Sequence, residues 1–187
     1  VVNQGKREIS PKPGYRRYRL DVPDGISPYT IPGQSDGEFL SNSYEHDEFG
    51  FATEDSVVAT SMNEKRFKKI ATARRLVPKD LLFGPKGASK LIVSWGSPSG
   101  PILEMLNRRP LPEYNFLQVR TLWPVSARLP KIIGRYRQII VVENNQTGQL
   151  SALLKSQFSF APHRQINKFD GRPYYPEELY HLITGQK

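Results

Sequence analysis

The sequence predicts an α/β fold over residues 89–187: an open, mostly parallel sheet with helices on both faces. It is preceded, over residues 1–88, by an irregular linker segment carrying one long basic helix. Three observations predict this. Short apolar runs alternate with stretches whose apolar residues recur at helical spacing, giving the order β-α-β-α-β-α-β-α that calls for parallel strands and right-handed crossovers. The run Ile139, Ile140, Val141, Val142 is continuous and β-branched, as suits a strand buried on both faces. The apolar runs end in turns rich in Gly, Asn, Pro or Asp.

The elements follow in order. Residues 1–14 are polar, with Pro11, Lys12, Pro13 and Gly14 together, and read as a linker; the absence of an initial Met or an apolar leader reads as a chain entered partway along. Residues 15–22 set Tyr15, Tyr18 and Leu20 against Arg16, Arg17 and Arg19, a pattern for an edge strand or for a basic-aromatic patch that stacks on bases. Residues 22–37 hold Pro23, Gly25, Pro28, Pro32, Gly33 and Gly37, an ordered loop and not a sheet interior. Residues 44–55 are acidic around His46; this is expected to be a solvated surface loop, with no metal site. A helix is predicted over about 53–77, capped by Thr53 and stopped by Pro78. Its stripe of Val58, Met62, Ile70, Ala73 and Val77 is sparse, interrupted by Arg66 and flanked by Lys65, Lys68, Lys69, Arg74 and Arg75. Such a helix lies over another domain instead of filling a core.

Residues 79–89 connect to the α/β domain. Its first strand is 91–95, followed by the tight turn 96–100, with Pro101 at the first helical position and a short helix carrying Ile102, Leu103, Met105 and Leu106. The second strand is 116–122, ended by Trp123 and Pro124; Ser126 is placed to cap the next helix, which Pro130 and Gly134 keep short. The third strand stops at Glu143, turns through residues 144–148 and enters a helix from Gln149. A weaker fourth strand, 166–169, the turn 170–173 and a helix over 176–183 complete the chain.

The 187 residues contain no cysteine, which excludes disulfides and thiolate-ligated clusters here, and no apolar run approaches the roughly 20 residues of a membrane span. A cytoplasmic location is expected. The net charge of +9 is dispersed and without a nucleic-acid motif, so a basic subunit face meeting an acidic partner is the expected meaning, with a polyanion as the alternative. The 96–100 turn resembles a phosphate cradle, with Gly96, Ser97, Ser99 and Gly100 as candidate cofactor-binding residues, but it is not Gly-x-Gly-x-x-Gly and has no P-loop lysine. In the 144–149 loop, Asn144, Asn145, Thr147, Gly148 and Gln149 are candidates for an interface or positioning role. Their polar groups must find partners within the turn, on the next helix or on another subunit. No residue in these turns is an evident acid, base or nucleophile, and His46, His163 and His181 are scattered, so no catalytic residue is assigned.

The segment Val-Val-Glu-Asn-Asn-x-Thr-Gly-Gln-Leu, residues 141–150, resembles the signature of the alpha chain of 2-oxoacid:ferredoxin oxidoreductases. Other segments agree in order: Asp24-Gly25-Ile26-Ser27-Pro28 with Ile31-Pro32-Gly33; Glu45-His46-Asp47-Glu48 with Gly50; Thr53-Glu54-Asp55; Trp95-Gly96-Ser97 with Gly100-Pro101-Ile102; Leu122-Trp123-Pro124; and Asp170-Gly171-Arg172-Pro173. Tyr29 departs from the pattern, which has Arg after Ser-Pro, so no role is carried over to it. The resemblance implies the C-terminal portion of an alpha chain, with a domain like the C-terminal domain of transketolase. The implied reaction is the oxidative decarboxylation of a 2-oxoacid with coenzyme A to acyl-CoA and carbon dioxide, reducing ferredoxin. The whole enzyme is implied to use thiamine diphosphate with Mg2+, coenzyme A and an iron–sulfur cluster. Implied partners are the beta subunit, the thiamine-binding domain of the alpha chain and ferredoxin. The thiamine-domain motifs are missing here, so this portion is expected to serve assembly and site shaping, not to carry the chemistry. The alternative is a nucleotide-, CoA- or polyanion-binding module.

Overall fold

A computed structural model of the chain describes residues 5–186 and divides it into two compact units, Val1–Leu76 and Val77–Lys187. In the second unit β1 (Leu81–Phe83), β2 (Lys90–Trp95), β3 (Tyr114–Val119), β4 (Gln138–Glu143) and β5 (Arg164–Asn167) form one sheet in the order β1-β3-β2-β4-β5. The pairs β2–β3, β2–β4 and β4–β5 are parallel, and β1 is antiparallel to β3 at the edge. The central register sets Ile92 beside Ile140 and Val93 beside Val141. The Ser94 hydroxyl donates to the Val142 carbonyl at 2.7 Å, which satisfies a polar group otherwise buried in the sheet.

Both faces of the sheet are covered. On one, Leu91, Val93, Leu117, Ile139 and Val141 pack with Leu129 and Ile133 of α3 (Leu129–Ile133) and Leu150 and Leu154 of α4 (Gln149–Phe158). On the other, Ile92, Phe116, Ile140 and Val142 pack with Ile102 and Met105 of α2 (Ser99–Arg108) and Leu179 and Ile183 of α5 (Pro176–Thr184). Burying such a side chain contributes about 2 kcal/mol, so these two layers are the main favourable term. The expected α/β class and two-sided burial are observed, and β4 has five buried residues out of six.

Several expectations are corrected. The break between units falls after Leu76 and not near 88, because Leu81–Phe83 lie in the sheet; three residues without alternation gave no strand signal. The second strand is Tyr114–Val119, shifted toward the N-terminus, and the fourth is Arg164–Asn167. Pro101 is the third residue of its helix, not the first. Ser126 does not cap α3; its Oγ accepts the N–H of Arg128, the residue immediately before the helix.

In the first unit residues 15–22 form neither an edge strand nor an open basic-aromatic patch. Arg16 bonds both oxygens of Glu48, Arg19 binds Asp21, and the Tyr15 hydroxyl donates to Pro28 O. The helix α1 is Ser56–Leu76, and its cap is Asp55, whose Oδ1 accepts the N–H of Val57 and Val58; Thr53 Oγ1 instead accepts the Asp55 N–H. Met62 is its one buried residue, as the sparse stripe predicts. Arg66 interrupts the stripe because it holds Glu45 through both nitrogens, at 2.6 and 2.7 Å, which depresses the Glu45 carboxyl to about 2. Gly25 lets the loop approach α1: a Cβ there would sit 2.6 Å from Lys69 N and 2.7 Å from Lys65 O. The acidic loop is internally engaged. Asp47 Oδ1 accepts the N–H groups of Phe49, Gly50 and Phe51, and Glu48 Oε1 accepts that of Leu20.

Candidate site at the carboxyl edge of the sheet

β4 ends in Glu143, a fully buried carboxylate that the sequence reading passed over as the end of an apolar run. Its Oε2 accepts the Leu150 N–H at 2.7 Å and the Asn145 amide at 2.9 Å, with Trp95 Nε1 at 3.5 Å. Its Oε1 accepts the N–H and hydroxyl of Ser151, at 3.1 and 3.2 Å. A carboxylate is acceptor-only, and the first turn of a helix has free N–H donors; the last residue of β4 thus caps α4 from beneath. Its backbone carbonyl accepts the Lys168 N–H at 3.0 Å and the Tyr174 hydroxyl at 3.2 Å. The Tyr174 hydroxyl, also 3.0 Å from Ile166 O, is buried, and burial followed by the field of Glu178 and Glu143 holds its pKa well above the ordinary phenol value. The signal that could have marked Glu143 was available: a carboxylate at the end of a buried strand, seven and eight residues before Leu150 and Ser151.

The 144–149 loop divides in two. Asn145 turns inward, donating to Glu143 and accepting the Gln149 N–H at 3.0 Å, and Gly148 takes a left-handed φ of 65° where a Cβ would lie 2.6 Å from Gln165 Oε1. Asn144, Thr147 and Gln149 are exposed, and their side chains have no hydrogen-bond partner among the described residues.

The 96–100 turn lies at the end of β2. Gly96 has a φ of 65°, and the Ser99 N–H donates to its carbonyl at 3.2 Å. Ser99 is buried with an unpartnered Oγ, Gly100 opens to space, and Ser97 is exposed. Ser97 and Asn144 line one cavity of about 470 Å³, together with Lys168, Gly171 and Arg172. The structure thus brings together members of both predicted turns and adds the 168–172 segment, which the sequence offered only as a turn. Among the described residues no group of three His, Cys, Asp or Glu is arranged to hold a metal ion, and no described helix is long and apolar enough to cross a membrane.

Comparison with known proteins gives a consistent set. The chain is 38% identical over 184 residues to 2-oxoacid:ferredoxin oxidoreductase 2, subunit alpha, of Aeropyrum pernix, covering 95% of this chain and 28% of the relative. It is 32% identical over 182 residues to subunit alpha of 2-oxoacid:ferredoxin oxidoreductase 1 of Sulfurisphaera tokodaii, with the same coverage. A solved structure of 2-oxoglutarate:ferredoxin oxidoreductase from Magnetococcus marinus, with 2-oxoglutarate, coenzyme A and succinyl-CoA bound, superposes with a TM-score of 0.82 at 26% identity, covering 99% of this chain and 32% of that one. No family model matches the sequence. The chain spans 28% of the length of these curated relatives.

Proposed function

We propose, from the premise that the chain belongs to the 2-oxoacid:ferredoxin oxidoreductase alpha-subunit family as one segment of such a subunit, that it serves assembly and site shaping in the oxidative decarboxylation of a 2-oxoacid. The observation that carries this reading is the division of the 144–149 loop. Glu143 and Asn145 lock the backbone, while Asn144, Thr147 and Gln149 stand outward without partners among the described residues. With the backbone of the turn fixed from within, these exposed polar groups are held in place and available to another surface at little ordering cost.

The chemistry is assigned elsewhere in the assembly. Iron–sulfur clusters are held by cysteine thiolates, and the sequence has none. It has no Gly-Asp-Gly motif for thiamine diphosphate and Mg2+. These groups do not fit the residues present. Coenzyme A, bound in the Magnetococcus enzyme, is proposed as the acyl acceptor of the whole enzyme. The partners we propose are the thiamine-binding part of the alpha subunit, a beta subunit and ferredoxin, in the cytoplasm.

The test is activity by parts. The purified chain is expected to show no 2-oxoacid-dependent reduction of ferredoxin or a viologen dye, whereas the full alpha and beta subunits together do. Turnover by the chain alone would overturn the assignment.

A further inference from the structure

We propose that the cavity lined by Ser97, Asn144 and Arg172 is a binding site for a phosphate-bearing ligand, with the Arg172 guanidinium as its charge and the Ser97 hydroxyl and Asn144 amide as its hydrogen-bonding walls. The sheet topology carries the argument. β2 and β4 are parallel neighbours, yet the chain leaves β2 into α2 on one face and leaves β4 into α4 on the other. Their carboxyl ends therefore diverge, opening the crevice at a topological switch point where open α/β sheets take their ligands. The cavity lies there: Ser97 follows β2, Asn144 follows β4, and Lys168, Gly171 and Arg172 follow β5. Its volume of about 470 Å³ falls within the roughly 300–1,000 Å³ of small-molecule sites.

The charges favour an anionic ligand. Lys168 Nζ is already matched by Glu178, at 2.7 and 2.8 Å, with Asp170 at 3.9 Å. Arg172 is exposed and makes no ion pair among the described residues; its backbone N–H donates to Asp170 Oδ1 at 3.0 Å. One unpaired guanidinium thus remains in the lining, and its planar fork of donors matches the oxygens of an anion, phosphate or carboxylate. Ser97 and Asn144 have no side-chain partner among the described residues and line the same space. The site follows from the topology of the sheet whether or not the 144–149 loop meets a partner. Its test uses the chain alone, so its failure leaves the assembly role untouched.

The experiment titrates the 15N-labelled chain at low salt with inorganic pyrophosphate and, in a second arm, with adenosine diphosphate. Saturable shifts are expected at the amides of Ser97, Asn144, Gly171 and Arg172. Tighter binding of the nucleotide assigns the cavity to a nucleoside phosphate; equal binding assigns it to the phosphate alone. Arg172→Gln and Ser97→Asp should each weaken binding by about tenfold or more with an unchanged melting temperature, while Lys131→Gln on α3 should not. Shifts confined to the lysines and arginines of α1, equal affinity in all three variants, or no saturable shift would overturn the site.

Discussion

Glu143 is the residue on which the candidate site turns. A buried carboxylate without a hydrogen-bonded network would be costly; this one accepts donors from Asn145, Leu150 and Ser151 and so joins the end of β4 to the start of α4. Glu143→Gln keeps the size but turns one acceptor oxygen into an NH2 facing buried N–H groups. It is expected to lower unfolding stability by about 3 kcal/mol, read from urea denaturation. Asn145→Ala, which removes one donor and one acceptor, should cost about 1 kcal/mol in the same measurement. The sequence singled out the polar loop but treated its residues as one set. Only coordinates show that Asn145 faces in and Thr147 out, because both suit a turn and differ only in where β4 aims them.

At the scale of elements, the helices and the parallel strands were legible because their periodicity reports burial directly. β1 was not, since Leu81–Phe83 gain strand character only from pairing with β3. The shifted ends of β3 and β5 have the same origin: pairing register, not local propensity, sets where a strand stops. The cap of α1 was misread by two residues because Thr53, Glu54 and Asp55 all suit a helix start. In that first unit, the Glu45–Arg66 pair ties the acidic loop to α1. The Glu45 carboxyl is depressed from its ordinary 4.5 to about 2, so its stabilisation is present above about pH 4.5 and is lost as pH falls toward 2. Hydrogen-exchange protection in residues 44–55, taken relative to the intrinsic rate at each pH, should fall through that window, and Arg66→Gln should abolish the fall. Lys65 works in the opposite sense. Its ammonium is held down to about 8, first by burial and then by Arg17, so stability should rise between pH 8 and 10.5.

For the whole molecule, the central proposal is that a loop fixed at the carboxyl edge of the sheet presents Asn144, Thr147 and Gln149 to another part of the oxidoreductase proposed above. The most direct measurement compares Thr147→Arg/Gln149→Arg in two settings, the isolated chain and the complete enzyme. Both side chains are exposed and unpartnered among the described residues, so the melting temperature of the chain should fall by a few degrees at most, the cost of a cation in the first turn of α4. In the complete enzyme two buried, unmatched guanidinium groups should weaken subunit association by a factor of about 100, followed by sedimentation, with turnover falling in parallel. Normal association and turnover in the complete enzyme would contradict the claim and leave the loop a turn that serves only its own sheet.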